Sequence, residues 1–165
     1  MPLFLHDRNK NLICKFINLL KKGGEIEMII KLQEAKVSVA SPSRVYELLQ
    51  AYFKTLDAVD RDKEYFLVLH LDVRNRIKLL DLVSVGTLNQ SLVHPREVFT
   101  RAIGKRTAAV ILAHNHPSGE TSPSYEDISI TNRLCQAGKI LAIDVIDHII
   151  FTDKEFYSFK DHELI

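Results

Sequence analysis

Residues 107–127 read TAAVILAHNHPSGETSPSYED, an apolar run that stops at a polar, turn-rich stretch and resumes as the opening of a helix. The apolar part is short and rich in branched residues, as a buried strand is. Side chains alternate faces along a strand, so His114 and His116 at its end point the same way, about 7 Å apart at Cα. In the loop that follows, Pro117 and Pro123 restrict φ and Gly119 opens conformations closed to other residues, which lets the helix start fold back onto the strand end. Asp127 then lies in the first helical turn, well placed to join the two imidazoles. Zinc takes neutral imidazole nitrogen at about 2.0–2.1 Å and carboxylate oxygen at about 2.0–2.2 Å. Three protein ligands leave a fourth tetrahedral position for water, the form of a catalytic site. Taken singly, the histidines would suit a hydrogen-bonded surface pair, and Asp127 an acid favoured by the helix dipole. Their agreement on one geometry makes His114, His116 and Asp127 candidate ligands of a single zinc ion.

Outward from this stretch, helices and strands interleave. Ser41-Pro42 opens a helix with Val45, Leu48, Leu49, Tyr52 and Phe53 at the spacing of one buried face. From Glu64, EYFLVLHLD reads as a strand, Asn75 supplies a turn, and residues 77–85 return as its antiparallel neighbour. Pro95 starts a second helix, with Val98, Phe99, Ala102 and Ile103 on one side and Gly104 at its end. A third helix is expected over 124–137, closed by Gly138, and ILAIDVIDHIIFT then reads as one or two buried strands. The pattern predicts an α/β sandwich with helices covering a mixed sheet. Residues 1–40 form an N-terminal extension in this reading: an amphipathic stretch over 11–22, a joint at Gly23-Gly24 and a β-prone piece over 25–32. The main domain occupies 41–165.

The totals agree with one domain. The chain has 165 residues, 46% apolar and 26% charged, enough for one core with a short extension. No apolar run approaches the roughly 18 residues of a membrane span. The first residues lack the uninterrupted apolar stretch and cleavage site of a secretory leader, so a cytoplasmic location and no membrane partner are expected. Cys14 and Cys135 belong to no Cys-x-x-Cys pair and read as reduced packing residues. With a net charge of +1, nucleic-acid binding would need a local patch rather than a global field. Walker, Gly-x-Gly-x-x-Gly and Gly-x-Ser-x-Gly motifs are absent from the sequence, which leaves nucleotide hydrolysis and serine-esterase chemistry without support.

HNHPSGETSPSYED also fits the pattern His-x-His, seven residues, Ser, two residues, Asp. In this it resembles the JAMM metalloproteases of the MPN domain family. HNHPSG, with GTLNQSLVHPRE upstream and DHIIF downstream, is similar to the RadC-like branch. The resemblance runs from about Ser41 to the C-terminus. It implies an MPN fold, an α/β/α sandwich with a mixed sheet similar to that of cytidine deaminases. It further implies one zinc ion per chain, amide-bond hydrolysis by metal-activated water, and a protein or peptide substrate. By the same resemblance Ser124 would hydrogen-bond the water or the developing oxyanion, whereas its spacing alone suits an N-cap equally well. The family's upstream glutamate base falls on Glu64, with Glu97 as runner-up. Read only by its place in DRDKE, Glu64 is equally a solvated strand-end charge.

Other residues offer weaker signals. Asp147 and His148 could support the ligands from behind or form a satisfied buried pair. His94 shapes the start of the helix at Pro95, and His70 is expected to face solvent. Arg96, Arg101, Lys105 and Arg106 could touch phosphates or form a solvated helix face. Two other function classes follow: a DNA-repair-associated, nucleic-acid-binding accessory protein whose metal site is structural, and an MPN docking module without turnover. The presence of all three ligands and the serine argues against the docking module.

Overall fold

The computed structural model describes residues 30–31, 38–39, 41–54, 56–86 and 93–165. The amphipathic stretch at 11–22, the double glycine, Cys14, most of the 25–32 piece and residues 87–92 of the GTLNQSLVHPRE segment lie outside the described residues.

The elements in chain order are β1 (Ile30–Lys31), α1 (Pro42–Phe53), α2 (Ala58–Arg61), β2 (Glu64–Leu71), β3 (Ile77–Gly86), α3 (Pro95–Gly104), β4 (Ala109–Asn115), α4 (Tyr125–Leu141), β5 (Asp144–Phe151) and β6 (Phe156–Ser158). Among the described residues the strands form one sheet in the order β1-β3-β2-β4-β5-β6. Every pairing is antiparallel except β4 with β5, which α4 connects as a crossover, so the sheet is mixed.

Alternation along the two central strands sorts the core into two layers. Leu67, Leu69 and Leu71 of β2 and Ala109, Ile111 and Ala113 of β4 face α1, which buries Val45, Leu49, Tyr52 and Phe53 against them. Phe66 and Val68, with Val110 and Leu112, face the other way, onto Val98, Phe99 and Ala102 of α3 and Leu134 of α4. His114 continues the alternation of Val110 and Leu112, which puts it in the α3/α4 layer beside Phe66, its register partner on β2. Each fully buried aliphatic side chain contributes about 1.5–3 kcal/mol, against about 0–1 kcal/mol for an exposed ion pair such as Arg44–Glu47. The two apolar layers, and not surface charge, therefore fix the strand that carries His114.

Turn chemistry sets the ends of the elements. Ser41 caps α1, its Oγ accepting from the Arg44 N–H at 3.4 Å, with Pro42 just inside the helix. Asn75 takes φ 54 in the β2–β3 turn, where Asp72 accepts from the backbone of Arg74 and Arg76 and pairs with the Arg76 guanidinium.

Three expectations are corrected. Gly138 does not stop α4, which continues to Leu141 and ends at Ala142 in the left-handed conformation, φ 54. The glycine is needed for packing: a Cβ there would lie 2.4 Å from the Ile143 carbonyl oxygen and 3.3 Å from Phe99 Cζ. The Ile143 N–H closes the helix end on Gly138 O at 2.9 Å. Ile140 and Leu141 consequently belong to the helix end, exposed, and the buried strand begins at Asp144. His70 does not face solvent. It is fully buried, since even-numbered β2 residues point under α3, where its Nδ1 meets Thr107 Oγ1 at 3.2 Å and its Nε2 lies 3.8 Å from Asp81.

Candidate metal centre

The C-terminal end of β4 delivers His114 from the buried layer, and His116 follows just beyond the strand, its N–H bonded to Phe151 O of β5 at 3.0 Å. Gly119 adopts φ +87, a conformation that favours glycine, and reverses the chain so that Glu120 O meets His116 Nδ1 at 2.8 Å. A carbonyl only accepts, so Nδ1 carries the proton and the neutral ring presents its Nε2 lone pair. The loop then leads to α4, whose first turn brings in Asp127.

The three side chains converge. His114 Nε2 and His116 Nε2 are 3.0 Å apart, and Asp127 Oδ1 lies 3.1 Å from His114 Nε2, with Oδ2 3.6 Å from His116 Nε2. Ligand atoms about 2.0–2.1 Å from a tetrahedral ion stand about 3.3 Å from one another, and one ligand atom from each of the three residues lies within 4.8 Å of the others, a spread that an ion could draw together. The donor set fits too: two imidazole nitrogens and a carboxylate can jointly hold a cation. His114 and Asp127 are each 1% exposed, while His116 is the more open of the histidines. Burial opposes ionisation of Asp127, but the neighbouring His114 and His116 and the Ser124 hydrogen bond favour its charged form and hold its carboxyl well below the usual carboxylate range. Burial likewise opposes protonation of His116; the Asp127 and Glu120 hydrogen bonds and the negative charges of Asp127 and Glu64 outweigh it and raise its pKa.

Ser124 forms a reciprocal cap. Its Oγ accepts from the Asp127 N–H at 3.1 Å and donates to Asp127 Oδ2 at 2.7 Å, and the Ser124 N–H donates to the same oxygen at 2.7 Å. The serine thus both starts α4 and orients a candidate ligand. Glu64 opens β2, shares a small cleft with Ser84, Val93 and His114, and projects its charge onto His116. Glu97 instead lies exposed in the first turn of α3 beside Arg96, 3.0 Å away. A second cavity of about 260 Å³ adjoins His116, with Phe53, Phe151, Pro117 and Thr152 among its lining residues.

Two contributors escaped the sequence reading. Asn115, between the histidines and pointing to the opposite face, accepts from the Tyr65 N–H at 2.7 Å and donates to Lys63 O at 2.9 Å, bracketing Glu64. Thr131, one helical turn after Asp127, donates to Asp127 O at 2.6 Å and meets His148 Nδ1 at 2.6 Å. Its hydroxyl at the i+4 position after a ligand was the available signal. His148 reaches His114 Nδ1 at 2.8 Å through its Nε2, which makes it a supporting residue of the site. Asp147 does not join it: its carboxylate holds the Ser158 hydroxyl and the Lys160 N–H after β6. His94 sits at the N-cap of α3 without a side-chain cap bond. Of the basic residues, Arg96, Lys105 and Arg106 are exposed, whereas Arg101 pairs with the buried Asp81 at 3.3 Å. Cys135 is a free thiol packed at the edge of the α3/α4 layer.

No helix among the described residues is long and apolar enough to cross a membrane. Comparison with known proteins matches residues 39–164 to the RadC-like JAB domain. A "UPF0758 protein" of Methanosarcina mazei is 44% identical over 134 residues, 81% of this chain and 56% of the relative. One from Alkaliphilus oremlandii is 44% identical over 151 residues, 92% and 62%. One from Geotalea uraniireducens is 51% identical over 125 residues, 76% and 53%. The chain therefore spans about half to three fifths of the length of these curated relatives. JAB domains are related to metallohydrolases, and the α/β sandwich with its histidine and aspartate cluster accords with that relation. The matched span contains both histidines, Ser124 and Asp127, and on it the chain belongs to the RadC-like JAB family of MPN domains.

Proposed function

We propose that this chain is a zinc-dependent hydrolase of JAMM type that cleaves a peptide or isopeptide bond in a protein or peptide substrate. The observation that supports the reading is the convergence of His114, His116 and Asp127, whose candidate ligand atoms lie within 4.8 Å of one another. A zinc ion held by these residues would supply Lewis acidity and make water nucleophilic at neutral pH. Glu64, at the strand start beside His114, accepts the proton of the attacking water and returns it to the departing amine. Ser124 turns its hydroxyl from Asp127 Oδ2 toward the substrate oxygen as negative charge develops there. The cavity beside His116 gives room for a substrate side chain next to the scissile bond.

The test is metal content with activity. The purified protein is expected to carry about one zinc per chain, and His116→Ala to lose both the metal and hydrolysis. A folded wild type that stays metal-free in zinc-containing buffer refutes the reading. A nucleic-acid-associated accessory role is the second reading, resting on the exposed Arg96 in the first turn of α3 and the exposed Lys105 and Arg106 just after its end. It is favoured if salt-dependent DNA binding survives zinc removal and weakens in Arg96→Glu and Arg106→Glu.

A further inference from the structure

Behind His114 runs a chain of hydrogen bonds whose direction can be worked out from its far end. Thr131 Oγ1 donates to Asp127 O at 2.6 Å, and the same oxygen lies 2.6 Å from His148 Nδ1. His148 Nε2 lies 2.8 Å from His114 Nδ1. Asp127, Thr131, His148 and His114 are each at most 1% exposed, so no bulk water competes for these bonds. A hydroxyl has one proton, and a carbonyl can only accept. With the Thr131 proton committed to Asp127 O, Thr131 Oγ1 can only accept from the imidazole, so His148 carries its proton on Nδ1. The neutral His148 ring then offers its Nε2 lone pair, and His114 must donate from Nδ1. His114 Nε2 is left with a lone pair, aimed at the point where Asp127 Oδ1 and His116 Nε2 lie 3.1 and 3.0 Å away.

We propose that Thr131 and His148 are positioning residues that lock His114 as the Nδ1–H tautomer, so the metal-free site already presents both imidazole Nε2 lone pairs to an incoming divalent cation. The inference rests on the zinc reading for its purpose, though the tautomer is a property of the protein alone. A histidine in water prefers its proton on Nε2, the wrong nitrogen for this site, and the relay reverses that preference. Aromatic packing holds the ring planes as well. Phe66 stacks on His114 with 12° between the rings, and Phe159 on His148 with 24°. Because the Thr131 hydroxyl is anchored on the backbone oxygen of Asp127, the same relay ties the helix carrying one ligand to the ring of another. Carboxylate and carbonyl partners of metal-binding histidines commonly do this work. Here a neutral histidine backed by a threonine takes their place.

The experiment is nitrogen-15 NMR of the chelator-treated protein at a pH where the rings are neutral, reading the tautomers from couplings between ring nitrogens and carbon-bound ring protons. His114 and His148 are both expected in the Nδ1–H form. Thr131→Val, nearly isosteric, removes the hydroxyl that sets the direction. It is expected to populate the Nε2–H form of His114 and to weaken zinc binding, measured by competition with a chromophoric chelator, about 10–100-fold. Thr131→Ser is expected to restore both. Finding His114 as the Nε2–H tautomer in the metal-free wild type overturns the proposal. So does a folded Thr131→Val variant with unchanged tautomers and unchanged zinc affinity. If that variant does not fold, the wild-type tautomers decide alone. A wild type with both predicted tautomers that binds no zinc refutes the zinc reading and leaves the relay standing.

Discussion

Ser124 caps α4, and its proposed role at the substrate oxygen can be separated from that cap by substitution. Ser124→Ala removes one Oγ that accepts from the Asp127 N–H at 3.1 Å and donates to Asp127 Oδ2 at 2.7 Å, while the Ser124 N–H keeps its own 2.7 Å bond to the carboxylate. Loss of such a cap costs about 1 kcal/mol, within a range of about 0.5–2. Position 124 is exposed, so water can replace the bond to the carboxylate and adds little to that figure. For a chain of this size each kcal/mol moves Tm by about 2–4 °C. Calorimetry of the metal-free Ser124→Ala protein is therefore expected to show Tm lowered by about 1–8 °C. Ser124→Gly, a tolerable N-cap, is expected to lose only a few tenths of a kcal/mol. Neither variant has a hydroxyl for the substrate. If Ser124 also stabilises the developing oxyanion, both lose about 10²–10³ in kcat with zinc content unchanged, assayed on a peptide or isopeptide found by mass-spectrometric screening. A Ser124→Gly enzyme with wild-type kcat would refute the chemical role and leave only a helix cap.

Glu64→Gln is expected to lower kcat by about 10²–10⁴ while zinc stays bound, and Glu97→Gln to leave kcat unchanged; the opposite pattern would move the general base to α3. Gly138→Ala would gain about 1 kcal/mol in an isolated helix. Here the new Cβ meets Ile143 O at 2.4 Å, and overpacking against backbone is expected to give a net loss of about 1–3 kcal/mol, read as a lower urea midpoint. In the metal-free protein, burial first and the charges of His114 and His116 next hold the His148 pKa well below 6.5. The unfolded chain takes up a proton there as pH falls below about 6.5 and the native state does not. Stability is therefore lost toward acid by up to about 1.4 kcal/mol per pH unit. The raised His116 pKa acts in the other window, its contribution being complete below about 6.5 and lost as pH rises through the folded value. Urea titrations between pH 5.5 and 8 are expected to show both limbs, and His148→Phe to remove the acid one.

The sandwich was legible because its signals are local. The branched and aromatic run EYFLVLHLD and the apolar run AVILAHN mark strands, and Ser41-Pro42, Pro95 and Ser124 mark helix starts by their own chemistry. The convergence of both histidines and Asp127 was legible because strand parity and a nine-residue loop confine them to one region. Gly138 misled because a glycine demanded by close approach looks the same in sequence as one demanded by a left-handed turn. The two are distinguished only by Ile143 O lying where a Cβ would be. His70 misled because alternation on a strand covered on both faces places polar residues inside as readily as apolar ones. The role of His148 depends on a parallel pairing that sets Leu112 beside it, a contact 36 residues apart in the chain. The short α2 and β6 carry too few residues for any periodicity.

Asn115 has a last consequence. Its amide occupies, at once, the acceptor and the donor positions that a neighbouring strand's backbone would fill on either side of Glu64. The separation of the proposed base from the ligands on either side of Asn115 is thus spanned by one short side chain and does not accumulate error through loops and helices. The amide ties the backbone on both sides of Glu64 to the end of β4, so the strand start with the proposed base and the strand end with His114 are joined directly. Aspartate at 115 would offer an oxygen to the Lys63 carbonyl, and leucine would offer nothing to either group. Asn115, between the two candidate ligands, is thus the direct link from β2 to the end of β4.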